Sequence, residues 1–129
     1  MKIEPFKHHL HYPVIQSWWK AKERPPTEPW FLPPLGKIVS FDQSFLVAGF
    51  LYRTDGNIAS IGALVATPVE NPHHGEALEF LLQTLYTEAK NMGFGMVTAA
   101  TNLPRLKERF VKLGLHVADE NVSHFGGLL

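Results

Sequence analysis

Cysteine is absent from the chain, which removes disulfides, thiolate metal sites and cysteine nucleophiles together. Excess charge is absent as well, because twelve Lys and Arg balance twelve Asp and Glu. No broad basic field exists to collect phosphates, so sequence-independent binding of nucleic acid loses its main source of affinity, and nucleic acid is not an expected partner. No run approaches the ~20 consecutive apolar residues that span a bilayer, and the stretch from Met1 to His8 lacks the apolar segment of a secretory signal. The expectation is a cytoplasmic protein without membrane contact.

What is present suits one folded unit. The 129 residues, 45% of them apolar, make one ordinary domain over 1–129, able to bury about two-thirds of its unfolded surface. Residues 2–7 read as a short strand that Pro5 confines to an edge or ends. Pro13 is a good first helical residue, and Val14, Ile15, Trp18 and Ala21 then share a face of a helix over about 12–23. The proline-dense segment 24–36 is neither helix nor central strand. Its Trp30, Phe31 and Leu32 are too apolar to be left in water, so they must pack on the protein or on a ligand.

Three strand-like runs follow, over 37–41, 45–53 and 57–67, separated by turn signals at Asp42-Gln43-Ser44 and Asp55-Gly56. They read as an antiparallel meander. In the second run Phe45, Val47 and Leu51 alternate with Leu46, Ala48, Phe50 and Tyr52, so both faces are apolar and helices are expected on both sides of the sheet. Leu78, Leu81, Leu82, Leu85, Ala89 and Met92 mark one face of a helix over about 75–92, ended by Gly93. A buried strand over 96–101 and a helix over 104–113, with Leu106, Phe110 and Leu113 inward, come next. Segments 115–119 and 122–128 are expected to close the chain as two strands. The order is that of a mixed α/β (α+β) fold, with a mostly antiparallel sheet of about six to seven strands covered on both faces.

Chemistry concentrates at the join Asn71-Pro72-His73-His74-Gly75-Glu76-Ala77-Leu78, where a strand gives way to a helix. Backbone N–H groups at such a helix start favour anions, and small residues at Gly75 and Ala77 allow a diphosphate to approach. The bland alternative is a glycine that merely starts a helix above a packed alanine. Glu76 and Glu79 suit the helix dipole but repel a diphosphate, while His73 and His74 can offset them as donors.

The element order and the residues at its joins resemble the GNAT superfamily of acyl-CoA-dependent N-acetyltransferases. In that family the fourth strand leads to a turn of pattern Gln/Arg-x-x-Gly-x-Gly/Ala, and Pro72-His73-His74-Gly75-Glu76-Ala77 stands at that place. Phe110-Val111-Lys112-Leu113-Gly114-Leu115 is similar to the family's Tyr-x-x-Leu-Gly-Phe. Trp18-Trp19, Leu32-Pro33-Pro34-Leu35-Gly36 and Leu51-Tyr52 are similar to short GNAT-like proteins of bacteriophages. The resemblance implies acetyl-CoA as co-substrate, held where the fourth and fifth strands splay, with backbone groups of Leu64, Val65 and Ala66 near its carbonyl. It further implies that His73, His74, Gly75, Glu76, Ala77 and Leu78 hold the pyrophosphate, with Asn102, Arg105 and Phe110 also on the cofactor. A small-molecule or peptide amine would enter beside Trp30, Phe31 and Leu32.

Departures from the family pattern are specific. Pro72 replaces the turn's donor, although Asn71 stands beside it. Phe110 takes the place of a tyrosine that protonates the leaving thiolate, and a phenyl ring has no proton to give. Asn102 stands one place early. The fourth strand, Ala59-Ser60-Ile61-Gly62-Ala63-Leu64, offers a hydroxyl where a carboxylate base often sits. No residue is therefore assigned as catalytic. Positioning alone is a large term in transfer, so loss of both groups does not forbid it. A GNAT-fold binding module without catalysis is one alternative, and a histidine-rich metal-binding protein is another.

Other clusters have two readings each. Seven histidines, with His8, His9 and His11 at the front, suggest metal, yet no carboxylate accompanies them at a diagnostic spacing, and no metal ligand is assigned. Trp18, Trp19 and Trp30 with Phe31 either line an acceptor pocket or, the reading preferred for Trp18, put one tryptophan of the pair in the core and the other over the long loop. Arg105, Arg109 and Lys112, with Lys107 nearby, are either a solvated helix face or a contact to a nucleotide phosphate. Strands near 122–129 would allow a homodimer by edge pairing.

Overall fold

A computed structural model describes residues 1–101, 103–121, 123 and 125–129. The elements run β1 (Lys2–Pro5), α1 (His8–Ala21), a single 3-10 turn (Pro29–Phe31), β2 (Gly36–Phe41), β3 (Ser44–Arg53), β4 (Ile58–Ala66), α2 (His74–Asn91), β5 (Met96–Ala99) and α3 (Pro104–Leu113). The five strands form one mixed sheet whose spatial order is the order of the chain. All neighbours are antiparallel except β4 and β5, which are parallel and joined through α2. Pro5 lies on β1 at the sheet edge, the position its missing N–H permits.

Both faces of the sheet are covered, as the two apolar sets of β3 predict. Phe50 and Ala48 pack with Ile15, Trp18, Trp19 and Leu32 on the α1 side. Val47 and Leu51 pack with Leu81, Leu82 and Leu85 of α2 and with Phe110 of α3 on the other. The alternation slips at one point. Val39 faces Val47 but Ser40 faces Phe45, so Leu46 is an inserted residue that turns to the α2 side, while Phe45 joins the α1 side.

The sheet has five strands, not six or seven, because no strand forms among the described residues of 115–129. Val117, Phe125, Leu128 and Leu129 are instead largely exposed. Alternation within a segment states which side is apolar, but a strand also needs a partner edge for its backbone, and here none is paired. Val122 and His124, part of the expected second strand and dimer edge, lie outside the described residues.

The first helix also starts earlier than Pro13 suggests. α1 leaves β1 almost at once, with Lys7 in extended backbone and its N–H donating to His11 Nδ1 at 2.8 Å. Pro13 is thus the sixth residue of the helix and withholds the N–H that would reach back one turn. Trp18 and Trp19 are both buried, so neither is left merely to cover the loop. The ends of α2 and α3 behave as expected, with Gly93 and Gly114 both in left-handed backbone just beyond them.

Candidate functional site

The site is built from a strand that outlasts its neighbour. β5 pairs with Ile58 to Ile61 of β4 and stops at Ala99, while β4 continues from Gly62 to Ala66. A bulge marks the start of this unpaired stretch. Ala48 faces Val65 and Phe50 faces Gly62, so Gly49 alone stands opposite Ala63 and Leu64. Ala63 has φ 51°, a left-handed backbone that is costly for a residue with a Cβ. A Cβ on Gly49 would sit 2.6 Å from Leu64 Cδ2, so the glycine makes room for the displaced leucine.

Ladder geometry decides which backbone groups remain available. Thr67 N–H donates to Leu46 O at 2.8 Å while Ala66 faces Val47, the pattern of a wide pair whose own groups point away from β3. Ala66 therefore turns its N–H and C=O to the side that β5 has vacated. That carbonyl accepts a hydrogen bond from Lys22 Nζ at 2.8 Å. Val65 is buried against the α1-side core.

The turn beyond β4 is narrower as an anion site than the six residues 73–78 suggest. Asn71 braces the turn as an acceptor: its Oδ1 accepts from His73 N–H at 2.8 Å and its carbonyl accepts from His74 N–H at 3.2 Å. Ala77 N–H donates to His73 O, its side chain is fully buried, and Leu78 lies a turn inside the helix. Among the described residues, Gly75 and Glu76 keep first-turn N–H groups without a protein acceptor. His73 lies against Phe41, with ring centroids 4.0 Å apart, and its Nδ1 is 3.5 Å from Glu76 Oε2. His74 Nε2 is buried without a hydrogen-bond partner among the described residues.

Arg109 of α3 completes this corner. It does not point outward with Arg105: a Cβ on Gly75 would stand 2.7 Å from Arg109 Nη2, so the guanidinium rests on the bare face of the glycine. Arg109 Nη1 donates to Glu79 Oε1 at 2.8 Å, and Lys112 Nζ is 3.8 Å from the same oxygen. A cation over a helix N-terminus is at the unfavourable end of the dipole, and Glu79 compensates it. Glu79 is in turn matched by two cations, which removes much of the repulsion expected from it. The glycine, two open N–H groups and a guanidinium thus meet at one corner, with the carboxylates of Glu76 and Glu79 beside them.

Other expected residues fall elsewhere. Phe110 is buried in the α2-side core, so its ring contributes packing. Leu32 is buried in the α1-side core, whereas Trp30 and Phe31 remain 74% and 50% exposed. Arg105 is exposed, and Asn102 lies outside the described residues. Among the described residues no group of three His, Asp or Glu is placed to hold a metal ion, and no helix is long and apolar enough to cross a membrane. Two surface concavities, of about 320 and 470 Å³, lie by the β2–β3 hairpin and along α2, and neither includes a residue of the strand split.

Two groups near the split carry no mark in the sequence. Lys22 is held below the usual lysine range by burial and by the charge of Arg24. Tyr52 packs over Gly62, where a Cβ would be 3.1 Å from its ring, and burial raises its hydroxyl above the usual tyrosine value. Its alternation with Phe50 in the sequence places it on the α1 face, but only the register puts it over the glycine.

No family model matches the sequence, and no curated protein matches it. Solved structures do match. TTHA1254 from Thermus thermophilus shares 14% identity over 98% of this chain and 97% of its own, with a TM-score of 0.71. Rv2747 from Mycobacterium tuberculosis, solved in complex with CoA, shares 12% over 95% of this chain and 76% of its own, with a TM-score of 0.73. The fold is GNAT-like. An acetyltransferase from Trypanosoma brucei adds a third such match, at 11% identity over 96% of this chain and 98% of its own, TM-score 0.67. At these identities the likeness is one of fold. The likeness of the front section to bacteriophage proteins finds no support in these matches.

Proposed function

We propose that this chain is an acyl-CoA-dependent N-acetyltransferase that passes an acetyl group directly to an amine. The observation that carries the reading is the stretch of β4 left unpaired beyond Ala99, leading into a helix start capped by Arg109. An extended ligand with amide groups can add to such an edge as a further strand would. Acetyl-CoA bound there supplies an activated thioester carbonyl. Ala66 offers an N–H to polarise that carbonyl and hold it in line, while Gly75, Glu76 and Arg109 hold the diphosphate. Tyr52 of β3, whose hydroxyl burial holds above the usual tyrosine value, is a candidate proton donor beside β4 in place of the phenyl ring of Phe110. The amine acceptor enters on the side of the exposed Trp30 and Phe31.

Acetyl-CoA in a calorimeter, followed by a thiol-release assay over an amine panel, tests this. Absence of heat and of a thermal shift at millimolar acetyl-CoA refutes it. Burial of Phe110 favours a second reading, a GNAT-fold module that binds the nucleotide without transferring the acetyl group. Binding with no thiol release on any amine selects that one.

A further inference from the structure

Lys22 is the residue that follows α1, and the fold brings it 44 positions along the chain to the end of β4. Its ammonium group meets no carboxylate among the described residues. Lys2, Lys37 and Lys112 each lie within 4.0 Å of a Glu oxygen, whereas Lys22 donates to the neutral carbonyl of Ala66. The Lys22 side chain is exposed, yet desolvation of its ammonium group and, after it, the like charge of Arg24 hold it below the usual lysine range. A free amine is the nucleophile that thioesters acylate.

Placement matters more than basicity. Ala66 presents its N–H and its C=O on one side, and Lys22 Nζ already sits on that C=O. A thioester carbonyl polarised by the Ala66 N–H would therefore lie within a lysine side chain's reach of Nζ.

We propose that Lys22 is a self-acylation site, its Nζ taking the acyl group of a thioester held along the open edge of β4. This rests on the reading that acyl-CoA binds there. The neutral Nζ attacks the thioester carbonyl carbon, a C–N bond forms and the C–S bond breaks. The sulfur departs as thiolate and takes up the proton that the nitrogen loses, so no oxidant or further reactant is required. The product amide keeps one N–H for the Ala66 carbonyl but loses its charge, and its acyl group remains in the split.

The test incubates the intact protein with acetyl-CoA and maps acetylated lysines by peptide mass spectrometry against time. The seven other lysines, from Lys2 to Lys112, are internal controls. Lys22 is expected to gain one acetyl group at least about tenfold faster than any of them, and excess free CoA is expected to slow Lys22 alone. An acetyl thioester of a short thiol, lacking the nucleotide, should lose that preference. Lys22→Arg keeps a donor for Ala66 and should bind CoA with unchanged affinity and unchanged thermal midpoint, yet remain unlabelled at this position. Labelling no faster at Lys22 than elsewhere, or labelling that CoA does not block, overturns the proposal while calorimetric binding of CoA leaves the transferase reading standing. No binding of CoA at all overturns both.

Discussion

Removing the carboxylate of Glu79 should tighten the binding of CoA, and removing the guanidinium of Arg109 should weaken it. Arg109 Nη1 and Glu79 Oε1 are 2.8 Å apart, with side chains 26% and 53% exposed, so the pair is solvent-screened and contributes about 0.2–1 kcal/mol to the fold. A diphosphate on the Gly75 and Glu76 N–H groups would stand beside both. A unit charge at ~4 Å is worth about 1 kcal/mol in water and about 4 kcal/mol near a protein surface, and this exposure argues for the lower end. Arg109 and Lys112 already offset part of this repulsion, so Glu79→Gln is expected to lower the Kd for CoA by up to about fivefold. Arg109→Ala removes charge-assisted hydrogen bonds worth about 1.5–3 kcal/mol, which is about 10- to 150-fold in Kd. Calorimetry at low and raised ionic strength checks both, since screening should shrink each difference. If Glu79→Gln weakens binding in the manner of Arg109→Ala, Glu79 serves to aim the arginine, and the reasoning that it competes with the ligand is refuted.

Three further outcomes are expected. Gly75→Ala puts a Cβ 2.7 Å from Arg109 Nη2 and displaces the guanidinium. CoA affinity should fall severalfold while denaturant stability holds or rises by up to about 1 kcal/mol, since alanine is the better helix residue. Leu32→Ala should cost about 2–5 kcal/mol in chemical denaturation because the side chain is buried, whereas Trp30→Ala should cost under about 0.5 kcal/mol and raise KM for the amine. Burial raises the Glu4 carboxyl, but Lys2 and then His11 together outweigh it, so the folded group titrates below the ordinary 4.5. The resulting stability is present above that value and is lost as pH falls through the folded one; Glu4→Gln should destabilise by under about 1 kcal/mol at neutral pH and converge with the parent in acid, as read by denaturation midpoints.

Periodicity made most of the elements legible. The spacing of Leu78, Leu81, Leu82 and Leu85 located α2, and the two apolar sets of β3 foretold cover on both faces. Local signals misled where tertiary contacts decide. Pro13 is a natural first helical residue, yet His11 Nδ1 accepts the Lys7 N–H and the helix begins at His8. Segment 115–119 alternates like a strand without a paired edge to join. At the site, the loop with Gly75 was visible because its glycine and helix start are contiguous in sequence. The approach of Arg109 to that glycine and of Lys22 to Ala66 depends on packing between elements far apart in the chain, which no spacing reports.

The order of strands in the sheet also governs how the molecule assembles. Since β1 to β4 pair successively with chain neighbours, this part can zip together from antiparallel contacts closed by short turns or by α1 and its loop. The parallel partner of β4 must wait for the whole of α2 to be laid across the sheet, a closure that gains no pairing until it is complete. β5 and α3 should therefore dock late in folding and open early under native conditions, with faster amide exchange in 96–99 and 104–113 than in β3. The strand whose shortness leaves the edge of β4 open is then also the strand held by the most delayed contact. Ligand binding across that edge should slow exchange there first.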